Sequence, residues 1–148
     1  MLTNSSPPIE DVAGHLRLVV ARTARRLRQE AGADLSPSLS SALASIDRHG
    51  PITPSELAAH ERVQRPTATR VLARLEALGL VERAPDPADR RSSLISVSAD
   101  GRALLRRQRS RKDQFLARRL AALDAGEVTT LERAAGILER VLDAEGRR

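Results

Sequence analysis

The sequence predicts a mainly α-helical domain that carries one small β-hairpin, an α+β fold in one continuous unit. Three observations carry this expectation. Apolar residues recur at three- and four-residue steps in several separate windows, each the mark of a helix that buries one stripe. Helix-start signatures precede two of these windows, at Thr53-Pro54-Ser55-Glu56 and at Asp124-Ala125-Gly126-Glu127. Between them lies a turn-rich segment, Pro85-Asp86-Pro87-Ala88-Asp89-Arg90-Arg91, flanked by two short runs that read as strands.

Met1 to Pro8 is polar and proline-bounded, with nothing to bury, so residues 1–8 are expected to form a mobile tail. Ile9, Val12, Leu16, Val19, Val20 and Leu27 then trace one helical stripe that ends near Gly32. Leu35-Ser36-Pro37 is a capped start for a second helix. Its Leu39, Leu43 and Ile46 recur up to the stop His49-Gly50-Pro51. At Thr53 a threonine followed by proline and, three residues on, by glutamate opens a third helix. Glu61-Arg62-Val63-Gln64 interrupts it, and Pro66 fits only the first turn of a fourth. That helix runs from Arg65 to Leu78, with Ala68, Val71, Leu72, Leu75 and Leu78 on one stripe and Thr67, Thr69, Arg70 and Arg74 off it. Gly79 supplies a left-handed stop. Leu80 to Arg83 reads as a strand, and a return strand turns Ile95 and Val97 inward. Helix, tight turn, helix, then a hairpin tipped with arginines make a winged helix-turn-helix.

Beyond the hairpin, Ser98 can cap a long helix from Ala99, with Leu104, Leu105, Gln108, Lys112, Phe115, Leu116, Leu120 and Leu123 along one face. A last helix after Asp124 places Val128, Leu131, Ala135, Leu138, Val141 and Leu142 on its inner side. These long helices and the first one cannot bury all their stripes on the small winged unit. A symmetric dimer would bury the remainder. The expected organisation is therefore residues 9–34 and 99–148 as a helical dimerisation region, and residues 35–98 as the winged unit.

The 148 residues, 41% of them apolar, suffice for one domain with a real core. No apolar run approaches the roughly 20 residues that span a bilayer, and no signal core opens the chain, so a cytoplasmic protein without membrane contact is expected. The absence of cysteine removes disulfides, thiolate nucleophiles and cysteine metal sites. His15, His49 and His60 lie at no helical ligand spacing, so no metal or cofactor is expected. There is no glycine-rich phosphate loop and no nucleophile elbow, which argues against an enzyme. The net charge of +6 is carried by arginine, with Lys112 the only lysine. Guanidinium forks suit phosphates and guanine edges, although a GC-rich coding sequence yields the same bias. The single aromatic residue other than histidine, Phe115, leaves nothing on which to stack unpaired bases, so duplex DNA is the expected nucleic acid.

The stretch Arg65-Pro66-Thr67-Ala68-Thr69-Arg70-Val71-Leu72-Ala73-Arg74-Leu75-Glu76, the run Leu78-Gly79-Leu80-Val81-Glu82-Arg83 and the wing Asp86-Pro87-Ala88-Asp89-Arg90-Arg91 resemble the MarR (multiple antibiotic resistance regulator) family of winged-helix transcription regulators. Gln64 departs from the pattern, since the family often places a capping serine there. The resemblance implies that the first helix joins a dimer interface. It also implies that small phenolic or carboxylate compounds bind between the first and the long fifth helix and disturb the spacing of the two recognition helices.

On this reading the fourth helix enters the major groove, and Gln64, Arg65, Thr67, Thr69 and Arg70 face the bases while Arg74 meets phosphate. A merely solvated polar face is the plainer alternative. Arg91 is the candidate for minor-groove insertion with Arg90 on the phosphates, and Asp89 would hold the Arg91 side chain by a charge-assisted bond. A surface ion pair is the alternative there. Thr53 and Ser55 could meet a phosphate, but capping alone explains Thr53. The cluster Arg102, Arg106, Arg107, Arg109, Arg111 and Lys112 reads as a solvated face, as an electrostatic supplement to DNA binding, or as part of an anion pocket. His15, Arg17 and His49 are candidate groups for a small anionic aromatic ligand. The expected function is a homodimeric, sequence-specific DNA-binding regulator, a repressor released by such a ligand, acting on an inverted repeat. An architectural or protein-interaction module with little sequence preference is the second reading.

Overall fold

The computed structural model describes residues 7–143, which form α1 (Ile9–Glu30), α2 (Pro37–His49), α3 (Pro54–Glu61), α4 (Arg65–Ala77), β1 (Val81–Pro85), β2 (Ser93–Val97), α5 (Ala99–Leu120) and α6 (Ala125–Asp143). Most of the expected tail, residues 1–6, lies outside the described residues. Pro8 caps α1 through its carbonyl, which accepts the N–H groups of Asp11 and Val12.

The expected starts have the geometry their residues dictate. Ser36 accepts from the Leu39 N–H, and Ser98 from the Gly101 N–H at 3.0 Å. Asp124 and Glu127 exchange reciprocal bonds of 2.9 and 3.0 Å. Gly79 adopts φ +69°, where an L side chain would be strained. Leu78 departs from the expected stripe. The helix ends one residue earlier, and Leu78 is 41% exposed as its cap.

The core sits where α2, α3 and α4 close on the hairpin. Leu43, Ile46, Leu57, Leu72, Leu75 and Ile95 are its fully buried large side chains. β1 and β2 pair antiparallel with Val81 opposite Val97 and Arg83 opposite Ile95, and Ile52 adds two backbone bonds to Ile95. Leu104 brings the first turns of α5 into the same core. β1 is longer than expected, running to Pro85, because Pro85 pairs at the hairpin's open edge, where its missing N–H costs nothing.

The other two long helices differ. Neither α1 nor α6 buries any residue, and Ile9, Val20, Leu131, Ile137, Val141 and Leu142 stay exposed. The inner side expected for α6 is therefore left mostly uncovered within the described residues, with Leu138 half-buried. α1 packs instead along α5. No helix among the described residues is long and apolar enough to cross a membrane.

Candidate nucleic-acid interface

α3 begins in a complete capping box. Thr53 Oγ1 accepts from the Glu56 N–H at 3.2 Å, while Glu56 Oε2 accepts from the Thr53 N–H at 2.7 Å. The Thr53 N–H and the Thr53 hydroxyl both donate to Glu56 Oε2, and these two bonds hold the Glu56 carboxyl below its ordinary range. The α3 N-terminus is thus already met by a carboxylate, which leaves Thr53 no free role at a phosphate. Ser55 is engaged as well, accepting from the Arg65 guanidinium.

The turn into α4 is tight because Arg62 takes a left-handed conformation, φ +54°, and the N–H groups of Arg62 and Val63 return to the carbonyls of Ala59 and Ala58. Nothing in the sequence marked Arg62 for this role, since the conformation is uncommon for a side chain of its size. Gln64 then opens α4 with no side-chain cap, as expected of a glutamine, and Pro66 provides the first turn.

Two rows divide α4. Ala68, Leu72 and Leu75 are buried, and Pro66, Thr69, Arg70, Ala73, Arg74 and Ala77 form the exposed row at three- and four-residue steps. Gln64, Arg70 and Arg74 are exposed as expected, and neither arginine is in an ion pair among the described residues. Thr69 shares that row, but its hydroxyl donates to the Arg65 carbonyl at 3.0 Å. It therefore offers a base its methyl group and acceptor lone pairs rather than a proton. Thr67 is half-buried, off the exposed row, and lines a small cavity together with Val71 and the α2 residue Ala42. Arg65 is exposed but turned back to Ser55, so it ties α4 to α3.

The wing loop is built by two aspartates acting on backbone. Asp86 Oδ1 accepts from the Ala88 N–H and Asp89 Oδ1 from the Arg91 N–H, each at 2.9 Å. The expected bond from Asp89 to the Arg91 side chain is thereby corrected: the carboxylate closes a turn two residues on, and the guanidiniums of Arg90 and Arg91 are left exposed and outside any ion pair among the described residues.

Arg83 is the residue the sequence reading missed. Its Nε and Nη2 donate to the two carboxylate oxygens of Glu76 at 2.7 and 3.2 Å, and its Nη1 donates to Ser93 Oγ at 2.6 Å. One guanidinium thus ties α4, β1 and β2 together. The hydrogen bonds from Arg83 hold the Glu76 carboxyl below its ordinary value of 4.5, so its stabilising contribution is complete above that pH and is lost as the pH falls through the lowered value. Both side chains are partly exposed, so the pair contributes at most about 1 kcal/mol. Glu76→Gln should flatten the acid side of the stability curve by no more than that, as read by urea melts at several pH values. A Glu76→Gln curve as steep as the parent's would assign the acid loss to other carboxylates.

Between α1 and α5 lies an open crevice of about 590 Å³, lined by Val19, Arg22, Arg25, Arg26, Phe115 and Arg119 among others. Arg26 and Arg119 stand over the Phe115 ring at 5.6 and 5.0 Å. The expected ligand groups His15, Arg17 and His49 do not line it. His15 and Arg17 are exposed on α1, and His49 stacks on His60, ring centres 4.1 Å apart, where the ends of α2 and α3 meet. Among the described residues no group of three or more His, Asp or Glu could hold a metal ion.

Comparison with known proteins bears on this arrangement. A family model described as MarR family matches residues 35–93, the segment from α2 to the wing. The chain is 40% identical over 133 residues to an HTH-type transcriptional regulator of Mycobacterium tuberculosis, covering 89% of this chain and 93% of that protein. It is 38% identical over 100 residues to the multiple antibiotic resistance protein MarR of Salmonella typhimurium, covering 67% and 69%. A crystal structure of a transcriptional regulator from Pseudomonas aeruginosa is similar with a TM-score of 0.81 at 36% identity, over 93% of this chain and 99% of that one.

Proposed function

The chain belongs to the MarR family of helix-turn-helix transcriptional regulators, and from that premise we propose that it is a dimeric repressor that reads an inverted repeat in duplex DNA. The observation that carries this reading is the exposed row of α4, with Arg70 and Arg74 outside any ion pair among the described residues, beside a wing whose aspartates leave Arg90 and Arg91 free. Arg70, Thr69 and Gln64 read base edges, Arg74 and Arg90 hold phosphates, and Arg91 enters the minor groove. Two copies present two such units to groove faces about 34–36 Å apart. The apolar rows of α1 and α6 are the surfaces they join. The protein acts in the cytoplasm.

Release follows when a small phenolic or carboxylate anion enters the arginine-lined crevice between α1 and α5, where Arg22, Arg25 and Arg119 supply charge. Weaker operator binding on adding salicylate, with Arg25→Ala removing that response, is the expected result. An unchanged titration would sink this part of the reading.

Binding selection on random duplex DNA, followed by titration of the selected sequence against a scramble, tests the main reading. A palindromic sequence bound on the order of a thousandfold more tightly than the scramble is expected. Sequence-blind binding would leave the architectural alternative. On the selected sequence Arg70→Ala should cost about 1–3 kcal/mol and relax preference at one base position, whereas Arg91→Ala should weaken binding with less effect on major-groove choice. Equal, negligible effects of both would sink the docking.

A further inference from the structure

Arg111 belongs to the basic run of α5, yet it is occupied. Its Nη1 donates to the Ala31 carbonyl and to Asp34 Oδ2, each at 3.0 Å. Both acceptors lie in the link between α1 and α2. Gly32 sits between them at φ +96°, and a Cβ there would collide with Arg111 Nη1 and stand 3.3 Å from Asp34 Oδ2. The bare glycine is what lets the guanidinium approach. Ala31 is buried and closes α1, its N–H donating to the Leu27 carbonyl at 3.0 Å.

α5 is one helix of 22 residues. Its first turn is joined to the hairpin, where Ser98 Oγ donates to the Gly79 carbonyl at 2.6 Å and the Arg102 guanidinium to the Val97 carbonyl at 2.7 Å. Leu104 and Gln108 follow, both buried, and α5 packs against α2. Arg111 comes next and grips the link that leads into α2. α5 is therefore joined to the winged unit at the base of the hairpin and along α2, and it grips the link just ahead of α2. Of the three ion pairs among the described residues, one lies within α1 and one within the winged unit. The third, Arg111 with Asp34, joins α5 to the link.

We propose that Arg111 is a positioning residue for DNA binding, which clasps the α1–α2 link and so fixes how the winged unit is carried on the long helices. It does this without touching DNA. The proposal rests on the DNA-binding reading above. Arginine suits the task because its rigid planar guanidinium fixes the directions of the two Nη1 hydrogens, one toward the carbonyl and one toward the carboxylate, whereas a lysine ammonium sits on a shorter stem and rotates freely. Two recognition helices must meet successive groove faces at one spacing, and a loosened link spreads the protein over arrangements of which only a fraction bind. With both side chains nearly half exposed, the pair adds little to overall stability, so its variants should fold.

A general electrostatic role for this region makes the opposite forecast and gives a sharp test. Asp34→Ala removes a negative charge, which by charge alone would tighten binding to a polyanion. The clasp instead requires Asp34→Ala to weaken binding of the selected operator by roughly three- to thirtyfold. Arg111→Lys, which keeps the charge, should do the same. The slope of affinity against salt should stay at the parent value in both, whereas Arg74→Ala, which loses a phosphate contact, should lower it by about one. Tighter or unchanged binding by Asp34→Ala, or a reduced salt slope in Arg111→Lys, overturns the proposal. Amide hydrogen exchange reads the clasp without DNA. Exchange across residues 31–40 should quicken in Asp34→Ala while residues 81–97 keep their protection, and unchanged exchange at residues 31–40 equally overturns it. The parent protein's preference for the selected sequence over the scramble tests the functional reading separately.

Discussion

In the dimer proposed above, Leu131→Asp combined with Leu142→Asp should yield monomers and reduce operator affinity by about a hundred- to ten-thousandfold, the gain that joining two binding units supplies. Leu131 is 48% and Leu142 70% exposed, eleven residues apart and so nearly one above the other on α6. A helix in a protein draws most of its stability from covering its apolar face rather than from propensity. α6 buries none of its residues, so its order calls for a surface outside the described chain. The apolar row of α1, Ile9, Val12, Leu16 and Val19, is exposed in the same way. Covering each side chain stabilises an assembly by up to about 1.5–3 kcal/mol, and a carboxylate placed there must be desolvated without a partner. Because α6 contributes nothing to the core around Leu43 and Ile95, the winged unit of the variant should keep its fold. Sedimentation equilibrium and operator titration on one preparation check the prediction. A variant that stays dimeric, or a monomer that binds as tightly as the parent, would place the interface elsewhere.

What could be read from the sequence was local. Thr53-Pro54-Ser55-Glu56 and Asp124-Ala125-Gly126-Glu127 fold as their capping chemistry requires, since each needs only a partner three residues away. Ile95 and Val97 face inward because alternation along a strand fixes their side. The contacts that shape the candidate interface join residues whose approach depends on packing. Glu76 and Arg83 meet across the Gly79 turn, Ser55 and Arg65 across the Arg62 turn, and Asp34 and Arg111 across 77 residues of chain. No periodic pattern encodes these pairings. Arg65, expected to face the bases, is tied to Ser55. His49, expected among the ligand groups, stacks on His60. The role of Asp89 was readable in principle. Asp86-Pro87-Ala88 and Asp89-Arg90-Arg91 each put an acceptor two residues before an N–H, the spacing of an Asx turn.

Gly101→Ala should destabilise the protein by about 2–3 kcal/mol, although alanine is the better helix former. Gly101 is the third residue of α5 and is buried against the turn that follows α4. A Cβ there would collide with the Leu80 carbonyl oxygen and come within 2.8 Å of Val97 Cγ1. The obstacle on one side is backbone, which cannot swing away as a side chain does. That carbonyl also accepts from the Ser98 N–H at 3.0 Å, and Ser98 in turn caps Gly101, so any shift that relieves the clash disturbs the start of α5. In a domain of this size the loss corresponds to a fall in Tm of about 4–12 °C. Gly14 supplies the control within the same protein. It lies in α1 with nothing within 4 Å of a built Cβ, so Gly14→Ala should raise stability by about 0.5–1 kcal/mol. Opposite signs for one chemical change separate steric contact from helix propensity. A Gly101→Ala protein at least as stable as its parent would mean that α5 can move off the hairpin at little cost, and the two-point grip of α5 on the winged unit would lose its rigid end.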